Sequence, residues 1–444
     1  MNEVILTNDQ NEALIRLNNW YNSNSYFTTL NGPAGTGKTW LAQHLIKVLK
    51  LNPNNCCVAA PTHKAKEVIG KNCPLDAYTL HQLLGIGINL DISEFDPLNP
   101  IFHVVNKQII EDYSFVIIDE ASQINEELYE TLKAICYRNY IKVLFIGDEV
   151  QVNPVNEEIS YVFSNTDVDV ITLTEIVRQE KDNPLIQLLS VLRKDVINDT
   201  NNYLELIKEP TEVLYNNKGY IIYNEGAKIL EKVVFLISHN IDCKCLNWSN
   251  NAVTAWNNKI VEKVFGSLRL HEKQIITATQ TLREGKNEPL LVNSKDYVIL
   301  SITPSTKIVE RIKLTGKTLK IRNGNDITEL FCVGSPSKDV ITEMCYAQQE
   351  IAKRTGGGKG WSKYYRFRLK FVLAFDLKTN RGTVIEKKNF TFGYSCTTHK
   401  SQGSTYTSVI VNYKNLVRNP NNLEMKRLLY VALSRASETA YILI

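Results

Sequence analysis

Over about its first 150 residues the chain repeats one rhythm, in which a short apolar run ends in glycine or polar residues and is followed by a segment with apolar positions at helical spacing. Tyr26 to Leu30 precedes a helix predicted over Lys38 to Leu49, and Cys57 to Ala60 precedes one near Lys64 to Ile69. Phe115 to Ile118 precedes a helix near Glu126 to Arg138, and Val143 to Ile146 closes the series. That rhythm predicts a parallel sheet covered by helices, with ligands gathering at the carboxyl ends of the strands. A second α/β region is expected from Val170, with Asn183 as N-cap and Pro184 as first helical residue before LIQLLSVLR. Between Gln274 and Lys388 the pattern changes to short β-like runs, turns such as Asn323-Gly324-Asn325, and the glycine run Gly356 to Gly358. The α/β rhythm returns at Phe390, so the middle reads as an insertion into the second α/β domain.

Length sharpens this picture: 444 residues suit about three domains of ~150 residues each. With 43% hydrophobic and 22% charged residues the composition is that of a soluble globular protein, and no stretch is as apolar as a membrane span. The opening MNEVILTNDQNEAL carries no basic segment followed by an apolar core, so a cytoplasmic location is expected. Nine cysteines without a CxxC pair read as reduced core residues. The net charge of +4 permits a nucleic-acid partner without requiring one.

The most specific chemistry lies in GPAGTGKT, comprising Gly32, Pro33, Ala34, Gly35, Thr36, Gly37, Lys38 and Thr39, which fits the P-loop pattern between a strand and a helix. Its glycines let backbone N–H groups turn toward phosphates, Lys38 is placed for the β and γ phosphates of ATP, and Thr39 offers a hydroxyl to Mg2+. Asp119 and Glu120 follow the apolar run FVII; Asp119 is suited to hold the metal and Glu120 to deprotonate the attacking water. Gln10 carries an amide able to read the adenine edge.

Further stretches extend the pattern. AAPTHKAKEVI, TLHQLLG, IIDEAS, GDEVQVNPV, LTEIVRQ, TTHKSQGST and LLYVALSRA stand in order along nearly the whole chain. Together with the P-loop they resemble motifs Ia, Ib, II, III, IV, V and VI of superfamily 1B helicases, the RecD/Dda branch. The resemblance implies an α/β fold: two RecA-like P-loop domains in tandem, a small pin inserted in the first and a β-rich SH3-like domain in the second. The expected boundaries are 1–169 for the first motor domain, with its pin at about 86–112, and 170–273 with 389–444 for the second. Residues 274–388 form the expected insertion. It further implies an ATP-dependent helicase that moves 5′ to 3′ on single-stranded DNA, opens forked duplex DNA and works as a monomer, with a single-strand-binding or other replication protein as partner.

Site roles follow motif by motif. Gln151 resembles the γ-phosphate sensor, Arg178 and Arg435 the arginines offered to the phosphates by the second motor domain, and Gly403 a nucleotide-side glycine of motif V. Pro61, Thr62, His63, Thr79, His81, Asn247, Trp248, Thr398 and His399 are implied to line a DNA track, where hydroxyls and imidazoles bind phosphate without fixing sequence. Val152 and Asn153 replace the leucine and first proline usual in motif III, and NSKDYV at 293–298 replaces a glycine-containing turn. Phe102 matches a pin-tip aromatic, either capping the fork base pair or buried beneath the pin. The run GGGKGWSKYYRFRLKF reads as a helical hairpin with aromatics packed inward and basic residues solvated; a single-strand groove wall is the other reading. Two rival functions remain at this level, an RNA or mixed-substrate translocase and a strand-binding scaffold without a motor.

Overall fold

The short apolar runs of the N-terminal part fold as strands in a computed structural model that describes residues 6–62, 65–66, 69–70, 73, 75–88, 102–104, 107–154, 157, 160–165, 168–177, 182–283, 289–355 and 357–444. They are β1 (Phe27–Asn31), β2 (Cys56–Ala60), β3 (Asp76–Thr79), the short antiparallel pair β4 (Ile86–Ile88) and β5 (Phe102–Val104), then β6 (Phe115–Ile118), β7 (Lys142–Gly147) and β8 (Asp169–Thr172). Six of them form a parallel sheet in the order β3-β2-β6-β7-β1-β8. Strands β1, β2 and β6 are buried along their whole length, as parallel strands covered on both faces must be. Helices α1 (Asn8–Tyr21), α2 (Lys38–Val48) and α3 (Glu126–Asn139) accompany it, and Leu17, Leu41, Leu45, Phe115 and Leu144 share one core. Thr7 starts α1 with a capping box closed by Gln10.

The second sheet contains β9 (Glu212–Tyr215), β10 (Lys218–Tyr223) and β11 (Cys243–Asn247), followed after the insertion by three more strands. The insertion supplies β12 (Ile275–Ala278), β13 (Asp296–Val309), β14 (Ile312–Asn323), β15 (Asp326–Val333), β16 (Leu377–Lys378), β17 (Val384–Glu386) and β18 (Phe390–Phe392). The chain then returns through β19 (Ser395–Thr397), β20 (Tyr406–Asn412) and β21 (Ala436–Leu443), giving the order β19-β11-β20-β21-β10-β9 with only β9 antiparallel. Its helices include α4 (Pro184–Asn198), α5 (Gly226–Ser238) and, beyond the insertion, the near C-terminal Asn422–Ser434, while α6 (Asn250–Phe265) carries the chain from this sheet into the insertion. Asn183 caps α4 by accepting the Leu185 N–H, with Pro184 in the first turn, as the sequence predicts.

One compact unit holds residues 1–85, 107–256 and 395–444, so both parallel sheets belong to it; the other holds 86–106 and 257–394. Within the second unit β15-β14-β13-β12-β18 form an antiparallel sheet. Helices α7 (Lys338–Thr355) and α8 (Gly357–Arg368) pack with that sheet's apolar residues, and the Asn422–Ser434 helix of the first unit is α9.

Several boundaries move. Strand β8 pairs with β1, which places residues 169–172 in the first sheet rather than at the start of the second. The insertion reaches Tyr394, because β18 pairs with β12. Its short β-like runs are in fact a long hairpin, β13 and β14, whose threonines and lysines blur the strand signal. The aromatics Trp361, Tyr364 and Phe367 of α8 are buried, as the inward-packed hairpin requires. Lys359, Lys363 and Arg366 are exposed, but Arg368 is buried and pairs with Glu386 at 3.2 Å, against the expectation of solvation. Where a glycine was missing from NSKDYV, Ser294 itself adopts the left-handed φ of 64°.

Candidate nucleotide site and nucleic-acid track

The P-loop begins where β1 ends. Gly32 has φ of 150°, and a Cβ there would lie 2.4 Å from the carbonyl oxygen of Leu173, so no other residue fits without moving backbone. Gly37, with φ of 82°, opens α2; a Cβ on it would lie 2.8 Å from Nε2 of Gln10. Between them the Thr36 hydroxyl donates to the Pro33 carbonyl at 3.0 Å and tightens the turn. Lys38 Nζ donates to the carbonyls of Gly32 and Pro33 at 2.6 and 2.8 Å. Burial pushes its pKa down, while Asp148, Asp119 and Glu120 act in the other direction.

Asp119 and Glu120 leave the end of β6. Thr39 Oγ1 donates to Asp119 Oδ2 at 3.2 Å and the Glu120 N–H donates to Oδ1 at 2.8 Å. Burial raises the Asp119 pKa. Glu120 adopts a left-handed φ of 57°, a strain of about 1–3 kcal/mol that functional sites tolerate. Burial and the neighbouring Asp119 push its pKa up to about 7, with Arg435 and Lys38 opposing.

Opposite the P-loop, Arg435 ends α9 of the second sheet. Its Nε donates to Val431 O at 3.2 Å and its Nη1 to Ser404 O at 3.4 Å, so the guanidinium is held while being only 6% exposed. A cleft of roughly 370 Å³ brings Lys38, Asp119, Glu120, Gln151 and Arg435 to one space. Gln10, Ala34, Gly35, Gly37, Thr39 and Gly403 line it too. Gln10 already donates to Thr36 O at 3.0 Å and accepts from Thr7 N at 3.3 Å, leaving one N–H and one lone pair for an adenine edge. Trp40, Val177 and Thr405 join the lining although the sequence assigned them no role; Val177 and Thr405 lie inside the stretches LTEIVRQ and TTHKSQGST, and Trp40 directly follows the P-loop.

Among the described residues no group of three or more His, Cys, Asp or Glu is placed to hold a metal by itself. The available donors are a hydroxyl and a carboxylate 3.2 Å apart, close to the ~3 Å edge of an octahedron with ~2.1 Å bonds. That oxygen-only pair fits Mg2+ completed by water and phosphate.

The expected DNA contacts divide. Thr62 is exposed and Pro61 half-buried, with Thr62 Oγ1 accepting the Ala65 N–H at 3.2 Å. His81 is exposed, and Trp248 and His399 are half-buried. Burial lowers the His399 pKa, and Glu424 lies 3.7 Å from its Nε2. Three side chains are instead committed inside the fold, which corrects their reading as phosphate contacts. Thr79 is 4% exposed and caps the turn carrying His81 by accepting the Gln82 N–H. Asn247 is fully buried, donates to Ser395 Oγ at 2.9 Å and accepts from Asn412 at 2.7 Å. Thr398 is fully buried and donates to Asn247 O at 3.4 Å. A buried side chain with its hydrogen bonds satisfied has nothing to offer a phosphate. His63, Arg178 and the side chain of Phe102 lie outside the described residues; the backbone of Phe102 pairs with Ile88. No described helix is long and apolar enough to cross a membrane.

Comparison with known proteins agrees with this arrangement. The AAA domain family matches residues 5–209 and the UvrD-like helicase C-terminal domain family matches 392–443. An uncharacterized protein of Acanthamoeba polyphaga mimivirus is 26% identical over 92% of this chain and 93% of its own length. The ATP-dependent DNA helicase dda of Enterobacteria phage T4 is 27% identical over 60% of this chain and 56% of its own, and the RecBCD enzyme subunit RecD of Buchnera aphidicola is 25% identical over 91% and 68%. The fold matches a Pif1 helicase, solved in work on unwinding at forked double-stranded DNA, with a TM-score of 0.52 at 16% identity over 99% of this chain and 92% of that one. At that identity the match shows the fold, two RecA-like domains, and no more.

Proposed function

From membership of the RecD/Dda branch of superfamily 1B helicases, to which this chain belongs, we propose that it is a motor that translocates 5′ to 3′ on single-stranded DNA and opens forked duplexes. It is an ATP-dependent DNA helicase and a DNA-stimulated ATPase. The observation that carries the reading is the cleft, where Lys38, Asp119 and Glu120 of the first sheet share one space with Arg435 of the second.

In this reading Lys38 exchanges the carbonyls of Gly32 and Pro33 for the β and γ phosphates of ATP. Thr39 and Asp119 would hold Mg2+, which neutralises charge building on the phosphates. Glu120, with a pKa near neutrality, takes the proton of the attacking water. Gln151 reports the γ-phosphate, and Arg435, joined by Arg178, stabilises charge spread over the transferring group. Gly403 leaves space beside the phosphates. Cleft closure on ATP and opening after hydrolysis alternate the grip of the two domains on the strand. Pro61, Thr62, His63, His81, Trp248 and His399 form the grip, phosphate-directed and therefore indifferent to sequence. The segment at 86–106 fits the pin, with Phe102 its candidate aromatic, and the antiparallel insertion fits the SH3-like domain. The motor acts as a monomer, with a single-strand-binding or replication protein as a further partner.

Unwinding of forked DNA carrying a 5′ or a 3′ tail, with matched RNA strands alongside, tests motor, substrate and direction together. Unwinding only from the 3′-tailed fork overturns the direction, and equal stimulation by RNA overturns the substrate. Lys38→Ala should reduce ATP turnover at least about 100-fold while leaving single-strand binding in place; unchanged turnover would remove the P-loop assignment.

A further inference from the structure

The loop after β7, which carries Gln151, is gripped from the other half of its own compact unit. Asp148 is fully buried. Its carboxylate receives the Arg193 guanidinium from α4 and, at 2.9 Å, the Tyr430 hydroxyl from α9. Arg193 Nη2 also reaches Glu149 Oε1 at 3.3 Å. Arg427, one helical turn before Tyr430, donates through Nη1 to the backbone carbonyls of Glu149 and Gln151, the latter at 3.0 Å. The apolar residues of the loop follow the same direction: Val150 and Val152 are 1% and 3% exposed and belong to the core of the second sheet, beside Leu185, Leu428 and Leu429. From its own sheet the loop is held mainly by Asn31, whose amide donates to Glu149 Oε1 and accepts the Glu149 N–H. Gln151 itself lines the nucleotide cleft, and its Oε1 is buried with no hydrogen-bond partner in the structure. A buried acceptor left unmatched is unfavourable, so its position is imposed by the surrounding grip.

Building on the helicase reading, we infer that Arg427 is a positioning residue of the ATPase site: from the second motor domain it fixes the backbone on which Gln151 faces the γ-phosphate. Arg193 and Tyr430 anchor the same loop through Asp148. Arg427 touches no reacting atom in this arrangement and acts through Gln151. The sensor is therefore seated by the domain whose approach it must report, which makes cleft geometry and sensor placement one event.

A double-mutant cycle tests this. Arg427→Met should lower kcat roughly tenfold or more while changing the KM for ATP by less than about threefold, and Arg427→Lys, which keeps a donor for the carbonyls, should recover part of the loss. Gln151→Ala should lower kcat on its own, and the Arg427→Met/Gln151→Ala double variant should be no slower than Gln151→Ala alone. Losses that multiply would overturn the inference, because Arg427 would then act independently of Gln151. So would a fall in thermal midpoint that accounts for the lost activity, since a purely structural role predicts that. If Arg427→Met does not fold, Tyr430→Phe removes a single hydroxyl from the same grip and enters the cycle in its place, under the same criteria. Wild-type ATP turnover, measured first, judges the helicase reading separately; the cycle judges the positioning role.

Discussion

Two buried carboxylates in different parts of the protein carry the same perturbation and do different work. Glu120 and Glu386 are both pushed up to about 7 by burial. Glu386, in the insertion, is enclosed: the Tyr364 hydroxyl and Gln349 donate to Oε1 and Arg368 pairs with Oε2. Glu120 faces the cleft from a strained turn, and the charges of Asp119, Arg435 and Lys38 influence it across that space. An altered acidity therefore marks burial in both places, and access to a reacting atom separates the catalytic candidate from the staple that joins α8 to β17.

The comparison breaks most sharply on activity. Glu120→Gln should reduce ATP turnover by about 10²–10⁴-fold with nucleotide binding retained; turnover within twofold of wild type would make Glu120 as structural as Glu386. Glu386→Ala should do the reverse. It leaves Arg368 buried without its partner and should cost about 3–5 kcal/mol in denaturant unfolding, while ATP turnover per folded molecule stays within about twofold. Loss of turnover in a fully folded sample would move Glu386 into the mechanism.

Acidity sharpens the contrast further. Glu120 must be ionised to accept a proton, so ATP turnover should fall as pH drops below about 7, with the acid limb assigned to this raised carboxylate. Stability should respond with the opposite sign. A carboxyl that holds its proton up to about 7 when folded releases it nearer 4.5 when unfolded, so Glu386 favours folding at low pH and that contribution fades as pH rises through this window. Comparing wild type with Glu386→Gln across the window checks it, and an identical pH response would refute the assignment. The smallest effect belongs to Thr79→Ala, which should cost about 1 kcal/mol as a lost cap and leave the salt dependence of DNA binding unchanged.

Much of this was legible in sequence, for local reasons. Strand, glycine turn and helix around Gly32 to Thr39 are specified by neighbours in the chain, as are the N-cap at Asn183 and the buried aromatics of α8 at helical spacing. Motif identity placed Asp119, Glu120, Gln151 and Arg435, and the fold gathers them. What escaped was decided by distant partners. Strand β8 joins the first sheet through hydrogen bonds to β1, and its half-exposed edge position gave no strong apolar run. Asn247 and Thr398 look like surface polar groups until β11, β19 and β20 close over them. Arg193 and Arg427 carry no motif of their own; only the meeting of two helices with one loop gives them a role.

Gly32 has a mechanical consequence. Its backbone abuts Leu173 so closely that a single methyl would collide with the carbonyl, and three residues later Gly35 O accepts the Val177 N–H at 2.9 Å. The phosphate-cradling turn and the strand of chain that leaves the first sheet are thus stitched side by side. The close approach and the hydrogen bond give a displacement of one a direct route to the other, much as a crank is keyed to its shaft, and the first glycine of the turn is the keyway.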